Sequence, residues 1–448
     1  MADDTRDPLG LLARLGRRPM DGIDIVLGTT TRGLELAAPV TLSLSDRRRH
    51  VLLIGKTGVG KSTLLKAMMF SDLAAGRGFS LFDPHGDLAE SVVDAVPAWR
   101  SEVIYLDPSD LAYSVGFNPL AQVLPDQRPL VAAHLLAAFS HIWNLSTATT
   151  PRVIRILNAA LRLLLDTPGT TLLMLPRVFS DDAFRDLLIS RCDDPIVRSF
   201  WLDEFTRFSE RFAVEAVDPL LNKIGLLLSE PAIRHMVAQV RCTINVRAIM
   251  DEHRCLIINL SKGRLGETPS HLIGAFLITA FSQAAEGRAT VPEDKRSDHI
   301  LYVDEFQNFA TDSFVRILSE SRKYRLSLVL AHQNLAQLPD TLRHAAFGNC
   351  GSLIAFRLGA DDAAHVGREM QIEASAFLDL PNYRARATLL ENGAPSGALY
   401  LETRYPHAPE INRTAAVLAR TRARHARPRA VIDAMIRAQL SAIDMGHS

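Results

Sequence analysis

Gly55-Lys56-Thr57-Gly58-Val59-Gly60-Lys61-Ser62 stands between the apolar run Val51-Leu52-Leu53-Ile54 and the segment Thr63-Leu64-Leu65-Lys66-Ala67-Met68-Met69, and it decides the fold. The octet is a complete G-x-x-x-x-G-K-[ST] phosphate loop, a pattern that carries weight only between a strand and a helix. Both flanks are present. Four consecutive apolar residues read as a buried strand, and the Leu and Met positions that follow recur at helical spacing. In that setting Gly58 and Gly60 let backbone N–H groups close around a β-phosphate, and the helix N-terminus adds its positive dipole end. Lys61 is expected to reach the β/γ oxygens, Ser62 to offer a hydroxyl to Mg²⁺, and Thr63 to cap toward the α-phosphate. The implied cofactors are ATP and Mg²⁺.

A second segment completes such a site. His299-Ile300-Leu301-Tyr302-Val303-Asp304-Glu305 is an apolar strand ending in two acids, the form of a Walker B segment. An acidic pair there is costly without a nearby cation. Asp304 is the expected Mg²⁺ ligand, and Glu305 the carboxylate that polarises attacking water as general base. A third strand, Leu326-Ser327-Leu328-Val329-Leu330-Ala331, ends in His332-Gln333. Gln333 either senses the terminal phosphate and holds the water or caps a loop.

The 448 residues suffice for two or three domains with their own cores. Fifty basic and fifty acidic residues cancel, so no global field draws nucleic acid and any such contact must be local. Cys192, Cys242, Cys255 and Cys350 lack C-x-x-C spacing, which argues for thiols in a reducing compartment, the cytoplasm, rather than a zinc site. The N-terminus has no signal-peptide pattern, and apolar stretches such as 272–281 are too short to span a bilayer, so no membrane insertion is expected.

Alternating strands and helices imply an α/β fold on a parallel sheet. Residues 1–48 read as a small β-rich entry, 49–119 as the first part of the core, and 120–250 as an all-α insert divided by Pro125, Pro129, Pro151, Pro168, Pro176, Pro195, Pro219 and Pro231. Core strands resume over 251–408, and 409–448 reads as a basic helical tail carrying Arg420, Arg422, Arg424, Arg427 and Arg429.

With these pieces placed, the chain resembles the HerA/FtsK superfamily of hexameric DNA-pumping ATPases, and within it the conjugative coupling-protein branch (TraG/TraD-like, type IV secretion). The matching stretches beyond the phosphate loop are Phe82-Asp83-Pro84-His85-Gly86-Asp87, Gly116-Phe117-Asn118-Pro119-Leu120, Asn259-Leu260-Ser261-Lys262-Gly263, Val303-Asp304-Glu305-Phe306 and Ser321-Arg322-Lys323-Tyr324. The resemblance implies a RecA-like motor with a helical insert, assembled as a homo-hexamer with ATP between subunits and double-stranded DNA through the centre. Membrane-tethered coupling proteins begin with transmembrane helices, and residues 1–51 contain no such segment. The expected form is therefore a relative acting on DNA in the cytoplasm, within a DNA-transfer, mobile-element or defence system.

Arg322 looks like the family's arginine that reaches the neighbouring subunit's γ-phosphate, with Arg357 second for that role; the other reading of Arg322 is a solvated helix residue. Asp83 and His85 either order the nucleotide's water shell or cap the turn at Pro84. Lys262 and Arg264 are expected to form a mobile basic loop gripping DNA phosphates in a pore. Arg152, Arg155 and Arg162 share one face of an otherwise apolar helix and are either DNA contacts or a solvated stripe. The arginine-rich tail leaves DNA, a partner or no ligand open. Two functions follow: a DNA-translocating ATPase, or an ATP-switched assembly or recruitment protein without processive movement.

Overall fold

Val51 to Ile54 are completely buried mid-sheet, as four apolar residues without polar alternation require. The computed structural model describes residues 24–30, 37–121, 123–208, 210–309, 312–403 and 412–441. Its strands in chain order are β1 (Ile25–Thr30), β2 (Ala38–Leu42), β3 (Val51–Ile54), β4 (Phe79–Asp83), β5 (Val103–Leu106), β6 (Tyr113–Val115), β7 (Cys255–Asn259), β8 (His299–Val303), β9 (Leu326–His332) and β10 (Ser352–Ala355). They continue with β11 (Arg384–Thr388), β12 (Leu390–Glu391), β13 (Ala394–Pro395), β14 (Leu399–Thr403) and β15 (Ala426–Pro428). The main sheet runs β2-β1-β14-β11-β10-β3-β9-β8-β4-β7-β5. From β10 to β5 every pairing is parallel; β11, β14, β1 and β2 extend that sheet antiparallel. This is the α/β, RecA-type phosphate-loop fold. The N-terminal strands join the main sheet through β14 instead of standing apart as a separate entry.

Strand periodicity sorts the core into two faces. Val51 and Leu53 pack in one cluster, Leu52 and Ile54 in the other. The second cluster continues without a break into the helical insert. Helix Glu267–Glu286 lies between, and its Phe276 meets Phe139 of helix Arg128–Trp143 edge-on, ring centroids 5.8 Å apart. Pro151, Pro195 and Pro231 open insert helices, where a missing N–H is harmless. Pro219 does not divide the insert as expected: helix Glu210–Ser229 passes through it. Among the described residues no helix is long and apolar enough to cross a membrane.

The C-terminal helices are not a tail. Helix Thr414–His425 packs beside β5, where Thr421 Oγ1 accepts the Tyr105 N–H at 3.0 Å, and β15 pairs with β6. Arg422 bonds Asp110 at 2.8 Å and sits over the Tyr113 ring; Arg420 donates to the carbonyls of Arg100 and Ser101. Arg427 donates to Gln239. These cations join the C-terminal segment to the core.

His50 links the strand before the loop to its neighbour. Its Nδ1 accepts the Leu328 N–H at 3.0 Å, and burial pushes the imidazole down to about 4. The unfolded chain protonates His50 near pH 6.5 while the fold resists until about pH 4, so stability falls as pH drops through that window. At its foot this one group accounts for roughly 3 kcal/mol. Urea unfolding followed from neutral pH downward should show the loss. His50→Gln, whose amide oxygen can take the same N–H, should flatten the profile relative to the parent, and an unchanged slope would exclude His50 as its source.

Candidate active site

All parallel strands end at one edge of the sheet, where α/β proteins bind ligands. The loop after β3 is anchored on both flanks there: Gly55 N–H donates to His332 O at 3.2 Å, and Lys56 N–H to Arg357 O at 3.0 Å. Gly58 and Gly60 take φ of +75° and +120°, which a side chain would oppose. Helix Lys61–Ala74 begins at Gly60 with no side-chain cap, so its first N–H groups have no side-chain acceptor. Lys61 is buried, and its Nζ donates to the carbonyls of Gly55 at 2.5 Å and Lys56 at 2.9 Å. Burial lowers its pKa against the pull of Glu305 and Asp304. Ser62 is exposed and Thr63 half-buried at the helix start. Uncapped N–H groups, positive-φ glycines and a buried ammonium fit a polyphosphate.

Asp304 and Glu305 follow β8 and are 4% and 5% exposed. Burial first, then the charges of Glu305 and Asp83, push the Asp304 carboxyl up to about 7. A cation would relieve this crowding, and Ser62 and Asp304 offer the hard oxygen donors Mg²⁺ prefers. Those residues fit that ion. Glu305 adopts φ +48°, a left-handed conformation that non-glycine residues pay strain to hold, and it turns the chain sharply off the strand.

Two amides hold the Glu305 carboxylate. Gln333 Nε2 donates to Oε1, and Gln307 Nε2 donates to Oε2 at 2.7 Å. Gln333 Oε1 in turn accepts the Thr57 hydroxyl at 2.7 Å, which ties the phosphate loop to the acid through one side chain. Behind them His332 Nδ1 lies 2.7 Å from Gln307 Oε1. The structure thus brings together Thr57, Gln333 and Glu305. Gln307 and His332 escaped the sequence reading, although a polar residue inside Phe306-Gln307-Asn308-Phe309, two positions after the acid, was a usable signal.

Other expected residues lie differently. Asp83 caps the turn: its carboxylate accepts the N–H groups of His85 at 2.9 Å and Ala89 at 2.8 Å. Lys262 and Arg264 occupy a helical turn, Lys262–Leu265, instead of an open loop. Lys262 donates to Asn308 at 2.8 Å, and Arg264 pairs with Glu90 at 2.6 Å. Arg155 pairs with Glu204 at 2.7 Å and Arg162 with Asp194, so that stripe binds the insert to itself. Arg322 is exposed on the turn Ser321–Tyr324 before β9. The seven residues of β9 put about 20 Å between it and its own phosphate loop. Arg357 is beside that loop and donates to Leu380 O at 3.3 Å and Asn382 Oδ1 at 3.0 Å.

Residues 25–159 match the family described as Helicase HerA, central domain, and residues 299–366 match the one described as TraM recognition site of TraD and TraG. No curated protein matches the sequence. Among solved structures the chain is similar to the unbound bacterial conjugative coupling protein TrwB, with 16% identity and TM-score 0.63 over 90% of this chain and 92% of that one. TrwB in complex with ADP and Mg²⁺ gives 16% identity and TM-score 0.61 over 90% and 94%. VirB4 of Thermoanaerobacter pseudethanolicus gives 15% and 0.58 over 87% and 98%. At such identities these structures speak to fold.

Proposed function

We propose, from the premise that this chain is a HerA/FtsK-type ATPase of the conjugative coupling-protein kind, that it hydrolyses ATP and uses the turnover to move double-stranded DNA through a homo-hexameric ring in the cytoplasm. The observation that carries the hydrolytic half is the single hydrogen-bonded path from Thr57 through Gln333 to Glu305, beside Lys61. The loop binds the phosphates, and Lys61 leaves its own carbonyls to neutralise their charge. Glu305 takes the proton of the attacking water while Gln333 and Gln307 keep its carboxylate aimed. Mg²⁺, which Ser62 and Asp304 would hold, supplies further charge neutralisation on the phosphates. Arg322, too far from its own site, would complete the neighbour's. DNA phosphates would compete with the internal acids for Lys262 and Arg264, and for Arg152, Arg155 and Arg162 on the insert.

ATP turnover measured with and without long duplex DNA, beside the mass of the assembled particle, tests this reading. Strong stimulation and a mass near six chains are expected. Slow, DNA-insensitive turnover would instead favour an ATP-switched recruitment protein. Mixing Arg322→Ala with Glu305→Gln subunits should restore part of the turnover each lacks alone, because some interfaces then pair an intact Glu305 with an intact Arg322. Strictly additive activity with demonstrated subunit exchange would exclude action in trans.

A further inference from the structure

Tyr383 stands against the phosphate loop in a conformation that bulky residues avoid. Its φ is +64°. Three hydrogen bonds enforce this backbone: its N–H donates to Val59 O at 2.8 Å, and its carbonyl accepts the N–H and the hydroxyl of Thr403, each at 2.9 Å. A Cβ added at Gly60 would come within 3.0 Å of Tyr383 Cδ1, so the ring lies on the loop itself, one residue before Lys61. Yet Tyr383 is 41% exposed. A strained aromatic fixed on a binding loop but not buried points to a ligand more than to a core.

The two flanks of the loop differ. On the β9 and β8 side Thr57 reaches Gln333 and Glu305, so the terminal phosphate belongs there. Tyr383 is on the opposite flank, where β10 and β11 adjoin β3. A triphosphate with its terminal group toward Glu305 therefore directs its nucleoside toward Tyr383. Arg357 braces the turn before it, holding Leu380 O and Asn382 Oδ1 while its own carbonyl accepts the Lys56 N–H.

We propose that Tyr383 is the nucleobase platform of this site, its ring stacking on the purine of a bound nucleoside triphosphate. The inference rests on the nucleotide reading above. Stacking accepts every base face, so ATP and GTP should bind with similar affinity.

The test is calorimetric titration of the full chain with ATP, GTP and inorganic tripolyphosphate, which has no base. Tyr383→Asn tolerates the left-handed backbone but removes the ring. It should weaken ATP and GTP about tenfold to a hundredfold while leaving tripolyphosphate unchanged. Tyr383→Phe should bind all three like the parent. The fluorescence of Tyr383→Trp should change with ATP and not with tripolyphosphate, and this signal decides the matter if Tyr383→Asn does not fold. Equal losses for ATP and tripolyphosphate, or no loss for ATP, would overturn the platform while the nucleotide site stands. A parent chain that binds neither ligand would overturn the nucleotide reading and the platform with it.

Discussion

Glu305→Gln should bind ATP and fail to hydrolyse it, with kcat lowered on the order of 10²–10⁴-fold, the range expected for loss of a general base. The substitution keeps the shape of the side chain and the left-handed turn, and its remaining carbonyl oxygen can still accept from Gln333 or Gln307. Nothing in the phosphate loop changes. Lys61→Ala should behave differently: it removes the ammonium that the loop now holds on the carbonyls of Gly55 and Lys56, and with it the charge that meets the phosphates. That variant should lose affinity as well as turnover. Equilibrium nucleotide binding beside phosphate release separates the two phenotypes. Near-parental hydrolysis by Glu305→Gln would remove Glu305 from its assigned role.

The contrast between these residues and the misread ones shows what a sequence can reveal. Gly55 to Ser62 and Asp304-Glu305 are contiguous, so spacing and flanking apolar runs suffice to find them. The Thr57 to Gln333 contact joins residues 276 positions apart and depends on β9 lying between β3 and β8, an order visible only in the sheet. The internal partners of the charges are hidden for the same reason. Arg155 and Arg162 form a basic stripe by periodicity, but their partners Glu204 and Asp194 are 49 and 32 positions away. The arginines after 413 read as a basic helical tail with its ligand open because Asp110, Tyr113 and Gln239 are distant in sequence. Local propensity marks Pro219 as a breaker, which the packing of a 20-residue helix overrides. Tyr383 runs against propensity altogether: a bulky residue at positive φ has no sequence signature, and only its three hydrogen bonds explain it.

Asp72→Asn is expected to lower stability by about 3–5 kcal/mol, the usual consequence of breaking a buried ion pair from one side. Asp72 is completely buried near the end of helix Lys61–Ala74. Arg47, equally buried, donates to both carboxylate oxygens at 2.9 and 2.7 Å, Arg77 donates at 3.1 Å, and the Tyr302 hydroxyl at 2.5 Å. Burial by itself raises the Asp72 carboxyl; Arg47 and Arg77 outweigh it and hold the group below its ordinary value. The neutral amide would leave two guanidinium groups facing each other with the charge of their shared carboxylate removed. Tyr302 lies two residues before Asp304, so the cluster also ties the phosphate-loop helix to the acid strand, and nucleotide affinity should fall with stability. Tyr302→Phe, which removes two hydrogen bonds, one from Arg47 and one to Asp72, but no charge, should lose only about 2 kcal/mol. Urea midpoints at unchanged m-value measure both. If Asp72→Asn unfolds no more readily than Tyr302→Phe, the charge pair is not what joins these elements, and the surrounding apolar packing of Met68, Phe79 and Leu81 must hold them instead.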